Sequence, residues 1–368
     1  MMIRLGFAIC LAFCIGCFAG PASAQELRGR LLPGELAESW QSLRKELRAV
    51  IAPLAEPNYE IRLLARGKAD GFPEQLSIRE LPERIVLILG GLQGDAQACE
   101  QFAMSLERTL AFPTNTRCAV FEYPNDGSIQ ESGCVLKQLL QEFHRGSPKT
   151  RVSIVGHSMG SLVARYALES PSEPDRFAVC EMVDHLTMLC PPNHGSVLAQ
   201  YADALEFADA LSKMKKGSDS LISVVNELVD DGLGEACDEL VPGSEFLRTL
   251  NSFDRVPGVR YTIIAGTRGP ISPLLRLVGS IAVSQGLNES QARGLEKIEK
   301  GLRRVEELIS SDELTLGRGD GAVSLSSARL PGVTEFMKAS IHHAEWADVE
   351  KPQVQELIRK VASLLTRS

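Results

Sequence analysis

Residues 152–167 read Val-Ser-Ile-Val-Gly-His-Ser-Met-Gly-Ser-Leu-Val-Ala-Arg-Tyr-Ala. A β-branched run meets the pentapeptide Gly156-His157-Ser158-Met159-Gly160, which opens directly into a helical pattern. A G-x-S-x-G segment in that setting mounts a serine on a sharp strand-to-helix turn. Val152, Ile154 and Val155 predict a buried strand, and Leu162, Val163, Tyr166 and Ala167 recur at helical spacing. Gly156 and Gly160 remove side chains where strand and helix must nearly touch. Ser158 is therefore the candidate nucleophile. The competing reading is an ordinary glycine-rich βα turn.

The rest of the chain repeats this alternation. Ile85–Leu89, Cys118–Tyr123, Val152–Val155, Leu186–Cys190 and Val259–Gly266 are short apolar runs separated by helical segments. Apolarity without in-out alternation means strands covered on both faces, hence an α/β fold with a mostly parallel central sheet and helices on both sides. At 368 residues, 44% hydrophobic and 23% charged, the chain suits one large globular domain or two modest ones. Leu36, Trp40, Leu43, Leu47 and Val50 predict a packing helix ahead of the sheet. Two helical insertions, at about 200–256 and 271–312, interrupt the alternation and are expected as a cap; the apolar helix around Leu274–Ile281 reads as core packing or as the lining of an acyl groove.

The first 24 residues carry Arg4, an apolar stretch from Leu5 to Ala19, and Ala22-Ser23-Ala24 before Gln25. This is the pattern of a cleaved signal peptide, the stretch being shorter than the roughly 20 residues a spanning helix needs. The expected organisation is signal peptide 1–24, an N-terminal extension 25–83 and a main domain 84–368, exported to periplasm or medium. Removal of the signal takes Arg4 from 39 bases and none of the 47 acids, so the charge of −8 becomes −9. An acidic surface disfavours nucleic acid and anionic bilayers as partners. Six cysteines would remain: Cys99, Cys118, Cys134, Cys180, Cys190 and Cys237. In an oxidising compartment one to three disulfides are expected, with buried free thiols as the alternative. No C-x-x-C or C-x-x-H spacing follows residue 24, which argues against a structural zinc site.

A serine hydroxyl needs an imidazole base, and the imidazole needs a carboxylate to fix its tautomer. On a sheet-borne turn the chain order is Ser, acid, His, and of six histidines only His342 and His343 lie late enough. For the acid, Gly319-Asp320-Gly321 sets a carboxylate between two glycines in a tight loop; a plain Asp-Gly surface turn is the bland alternative. Asp254, Asp312, Glu313 and Glu335 are rivals without that setting. Two backbone donors must stabilise an oxyanion, the first being the amide after the nucleophile, Met159. The second is assigned to Leu92, in Gly90-Gly91-Leu92-Gln93-Gly94 after the strand at Ile85–Leu89. Those glycines do not read as a phosphate loop, since no Gly-Lys-Ser/Thr follows them.

With these residues in place, the chain resembles α/β-hydrolases of the lipase type, including bacterial triacylglycerol lipases and GPI inositol-deacylase-like lipases. The likeness spans roughly Arg84 to Leu365. It rests on the Gly-Gly-Leu loop, Gly156–Gly160, Pro192-Asn193-His194-Gly195-Ser196, Val241-Pro242-Gly243-Ser244-Glu245, and Gly319-Asp320-Gly321 with Ser326-Ser327-Ala328. The resemblance implies that Ser158 attacks an acyl carbonyl, His343 carries the proton, Asp320 orients it, and Met159 and Leu92 bind the oxyanion. It favours His343 over His342 because Ala344-Glu345-Trp346 and the helix at Val354–Leu365 are similar to the segment after the base in lipases. Many relatives have His-Gly before the oxyanion donor, where this chain has Gly90-Gly91. The implied activity is hydrolysis of carboxylic esters, with lipid or long-chain acyl esters suggested by the apolar inserts, and a transient lipid-surface contact fits the same feature. Amidase, thioesterase and acyltransferase share the machinery, and a catalytically inactive binding protein on the same fold is the alternative from another class. No metal or organic cofactor is required.

Overall fold

The computed structural model describes residues 59–63, 74–75, 81–92, 96–109, 115–124, 127–171, 176–199, 235–269 and 311–366. All of them belong to one compact unit drawn from Pro57–Gln200, Gly234–Ile281 and Glu307–Ser368. The expected signal peptide, the helix at 35–52 and most of both insertions lie outside the described residues.

Eight strands form one sheet in the order β2-β1-β4-β3-β5-β6-β7-β8. They are β1 (Glu60–Leu63), β2 (Glu74–Gln75), β3 (Arg84–Leu89), β4 (Thr116–Glu122), β5 (Arg151–His157), β6 (Val183–Leu189), β7 (Arg260–Gly266) and β8 (Glu335–Ala339). From β4 across to β8 every pairing is parallel, while β1 joins antiparallel to both β2 and β4. The chain has the α/β-hydrolase fold. The five apolar runs read from the sequence are β3 to β7. Strands β1 and β8 were not anticipated: they lie toward the edges, where covered and open positions mix, and Glu-Ile-Arg-Leu and Glu-Phe-Met-Lys-Ala carry too little apolar signal to stand out.

Eight helices accompany the sheet among the described residues: α1 (Ala96–Thr109), α2 (Ile129–Gly146), α3 (Met159–Glu169), α4 (Arg176–Met182), α5 (Glu235–Leu240), α6 (Glu245–Ser252), α7 (Leu325–Ala328) and α8 (Pro352–Leu365). Strand alternation assigns them to two layers. Ile85, Leu87 and Leu89 face the layer built from α2, α3, α5 and α6, and Val86 and Ile88 face α1 and α8. The segment from 235 to 252, expected at the end of the first insertion, packs Ala236, Leu240, Phe246, Leu247 and Leu250 into the first layer. None of these helices is long and apolar enough to cross a membrane. All six cysteines after residue 24 are free thiols, which corrects the expectation of disulfides. Cys99, Cys118 and Cys190 are absorbed into the second apolar layer as small hydrophobes.

At the end of the sheet away from the elbow, His185 is 2% exposed. Its Nδ1 accepts from Arg260 at 2.9 Å, and its Nε2 meets Thr262 Oγ1 at 2.9 Å. Thr262 in turn donates to Glu335 at 2.6 Å. Burial, then the charges of Arg260 and Arg84, lower the His185 pKa from 6.5 to about 3. Between those values the unfolded chain binds a proton that the folded one refuses, so stability falls as pH drops through that window. Urea unfolding should therefore show wild type losing more stability than His185→Gln between about pH 7 and 4, by at most about 3 kcal/mol. Equal losses would place the acid sensitivity elsewhere.

Candidate active site

The site forms at the carboxyl ends of the central parallel strands. Ser158 sits between β5 and α3 with φ 51 and ψ −124, a region that non-glycine residues avoid. Its amide donates to Leu189 O on β6 at 2.8 Å, fixing the corner to the neighbouring strand. A Cβ on Gly156 would fall 2.7 Å from Ser161 Cα, and one on Gly160 would collide with the carbonyls of Gly90 and Leu89. The two glycines let strand, helix and the β3 loop approach within backbone contact, as the motif anticipates.

The late histidine reaches this serine. His343 Nε2 lies 2.8 Å from Ser158 Oγ, and His343 Nδ1 lies 3.0 Å from Asp320 Oδ2. Asp320 is held in place by its own loop. Its Oδ1 accepts the amides of Ala322 at 3.0 Å and Val323 at 2.8 Å, and its carbonyl accepts the His343 amide at 2.8 Å. Gly266, at the end of β7, leaves room for the carboxylate, since a Cβ there would meet Asp320 Cβ at 2.6 Å. Burial pushes the Asp320 pKa up, but the His343 charge, its hydrogen bond and the two amides outweigh that, leaving the carboxyl below its ordinary range. An ionised Asp320 makes Nδ1 the protonated nitrogen and leaves Nε2 to accept from the serine. That is the arrangement a general base requires.

The remaining sequence candidates lie as follows. Met159 is fully buried and begins α3, where a first-turn amide has no intrahelical partner. Leu92 packs against the core in the loop after β3, and that loop touches the nucleophile: a Cβ on Gly91 would stand 2.8 Å from Ser158 Cβ. His342 faces away. Its ring lies over Gly321, and its Nδ1 caps the following 3-10 turn by accepting the Ala344 amide at 3.3 Å. Rival acids are engaged elsewhere: Glu313 accepts the Val197 amide at 2.7 Å, Glu335 accepts from Thr262, and Asp312 pairs with Arg318 at 3.1 Å. His194 is exposed, its amide bonded to Ser327 O at 3.1 Å.

Several supporting contacts were not anticipated. Tyr123 Oη donates to Gly90 O at 2.5 Å and so ties β4 to the start of the β3 loop. The His157 ring stacks on Trp346 at 4.5 Å and 11°, and sits 4.9 Å from the His343 ring. Burial first, then the His343 charge, holds the His157 pKa well below its ordinary value. Arg165, fully buried inside α3, pairs with the equally buried Glu169 at 3.0 Å. The same guanidinium donates to Asn193 and Asn251, each at 3.0 Å, and Arg255 reaches Glu169 at 2.8 Å. This cluster explains the Asn193 position singled out with the sequence motifs. An Arg-x-x-x-Glu pair inside an otherwise apolar helix was the available signal.

Residues 132–287 match the family model of a domain of unknown function, DUF7379. Comparison with curated proteins returns no match. Among solved structures, the chain is similar to Bacillus licheniformis lipase BlEst2 in mature form, at 18% identity over 82% of this chain and 98% of that one, TM-score 0.43. Similarity to Legionella pneumophila phospholipase PlaB runs at 17% identity over 67% of this chain and 45% of that one, TM-score 0.42. The enol-lactonase of Burkholderia xenovorans LB400 is 14% identical over 84% of this chain and 96% of its own length, TM-score 0.38.

Removing one partner of a buried ion pair strands the other charge in a low-dielectric interior. Arg165→Met should therefore lower the unfolding free energy by about 3–5 kcal/mol, read by urea denaturation. A loss under about 1 kcal/mol would mean that Arg255 alone satisfies Glu169.

Proposed function

We propose that this protein is an exported serine hydrolase that cleaves carboxylic esters, with Ser158, His343 and Asp320 as a catalytic triad. One observation carries the reading: the continuous hydrogen-bonded chain from Ser158 Oγ through both nitrogens of His343 to Asp320 Oδ2. The reaction follows from it. His343 Nε2 takes the hydroxyl proton as Ser158 Oγ attacks the acyl carbonyl. Asp320 stabilises the imidazolium that forms, and the Met159 and Leu92 amides receive the oxyanion. Return of the proton to the leaving alkoxide gives the acyl-enzyme. Water, activated by the same imidazole, then releases the acid. Every proton in the cycle moves through His343.

The same chain favours turnover over the reading of a catalytically inactive binding protein, because no member is missing. Amidase, thioesterase and acyltransferase chemistry would run on the same groups. The apolar inserts of the sequence favour a lipid or long-chain acyl ester, and the leader at residues 1–24 supports export.

Ser158→Ala should abolish hydrolysis of p-nitrophenyl esters and labelling by a fluorophosphonate probe while circular dichroism and melting stay those of wild type. Undiminished turnover in that variant would remove Ser158 from the role. A chain-length series on p-nitrophenyl esters tests the substrate class. Specificity constants should rise beyond butyrate, whereas a maximum at acetate that vanishes by butyrate would exclude a long-chain preference.

A further inference from the structure

His157, Cys190 and His343 converge beside the triad, and the chemistry proposed above uses only the last of them. Each offers one ligand atom, and the three atoms lie within 4.8 Å of one another. They arrive from three elements: the end of β5, the residue after β6, and the turn after β8. His157 is 5% exposed, yet neither of its ring nitrogens makes a well-formed hydrogen bond, the His343 backbone offering only a weak contact. A buried orphan polar group costs about 1–3 kcal/mol and calls for a reason. Its stack on Trp346 explains how the ring is packed, but not why the core holds an imidazole there in place of a phenyl ring.

We propose that His157, Cys190 and His343 bind a thiophilic divalent cation of the zinc class, and that its occupancy switches the hydrolase off. Two imidazoles and a thiolate are a donor set that soft and borderline metals select over calcium or magnesium. Neutral imidazole is the ligating form, and burial keeps His157 in it. Zinc bonds of about 2.0 Å to nitrogen and 2.3 Å to sulfur hold ligand atoms roughly 3.3–3.5 Å apart, so the cluster closes by up to about 1 Å on binding. Burial and the neighbouring Asp320 push the Cys190 thiol up, so the cation must displace its proton: the S–H bond and its hydrogen bond to Asp320 are replaced by S–Zn, and the proton leaves to solvent. Entry is from the Ser158 side, where the His343 side chain is 17% exposed, and water takes the fourth position.

Inhibition follows from the nitrogen count. His343 has two ring nitrogens, of which Nδ1 holds Asp320 and Nε2 faces Ser158. Whichever one the cation takes, the base loses either its orienting carboxylate or its serine. Bound cation and triad chemistry exclude each other. The inhibitory half of this proposal rests on the hydrolase reading; the binding half does not.

Cobalt(II), which reports what zinc hides, separates the two. Titration of the wild-type protein should produce a near-ultraviolet thiolate-to-cobalt charge-transfer band at one equivalent per chain, bleached by zinc. Cys190→Ser should lose the band although the other cysteines remain. In parallel, zinc should slow fluorophosphonate labelling of wild type. The zinc concentration that halves labelling, measured against each variant's own metal-free rate, should rise at least tenfold in Cys190→Ser and in His157→Phe. Should Cys190→Ser fail to fold, His157→Phe carries the comparison, since a phenyl ring keeps the stack and offers no ligand. An unchanged band or unchanged zinc sensitivity in the variants overturns the site, and so does the absence of any band in wild type. Failure of the probe to label metal-free wild type overturns the hydrolase reading and leaves the cobalt band to decide the cation site alone.

Discussion

The geometry of this molecule depends on one backbone constraint, the positive φ of Ser158 at the corner between β5 and α3. Holding a non-glycine residue there costs on the order of 1–3 kcal/mol, so the surroundings must over-determine it. They do so from three sides: the Leu189 carbonyl accepts the Ser158 amide, the β3 loop presses on Gly160, and α3 is buried along all eleven of its residues. A helix buried all round has no face on which to carry a solvated charge. Arg165 and Glu169 therefore satisfy each other, and their remaining donors and acceptors reach Asn193, Asn251 and Arg255. The strain at Ser158 and the ion pair farther along the same helix are consequences of the same packing.

Legibility followed burial. Strands β3 to β7 announce themselves because both faces are covered, and a run such as Ile-Val-Leu-Ile-Leu has few other uses. Ser158, Asp320 and His343 were readable because glycines flank the first two and chain order selects among the histidines. Edge strands gave no such signal, since a position half open to solvent tolerates Glu, Arg or Lys. Choosing His343 over His342 required the resemblance, and the structure supplies the physical reason: the ring of His342 is spent over Gly321 and on the Ala344 amide, as a cap for the turn that presents its neighbour. Tyr123 on Gly90 and His157 on Trp346 are contacts between residues far apart in the chain, and no local pattern encodes them.

The histidines show how little residue type decides alone. His185 is held neutral by burial and two nearby guanidinium groups, and serves as one link in a polar chain that crosses β6, β7 and β8. His157 is neutral through burial and stacks as an aromatic. His343 alone combines a carboxylate on one nitrogen, a hydroxyl on the other and an open edge toward solvent. Three imidazoles in one fold thus occupy three regimes, and only the last stands between a hydroxyl and a carboxylate.

What fixes the orientation of His343 is the anchoring of Asp320. With Oδ1 committed to two backbone amides, only Oδ2 is left to face Nδ1, and the carboxylate cannot turn to offer a different geometry. Backbone amides are rigid donors, so this orientation is set at folding. The loop between two glycines therefore does more than bend the chain toward the site. Gly321, at φ 104, adopts a conformation that L side chains rarely take, and in doing so brings the Ala322 and Val323 amides back onto the preceding carboxylate. A loop that hydrogen-bonds its own acid converts local sequence into orientation at the imidazole, and through it at the serine 185 positions away.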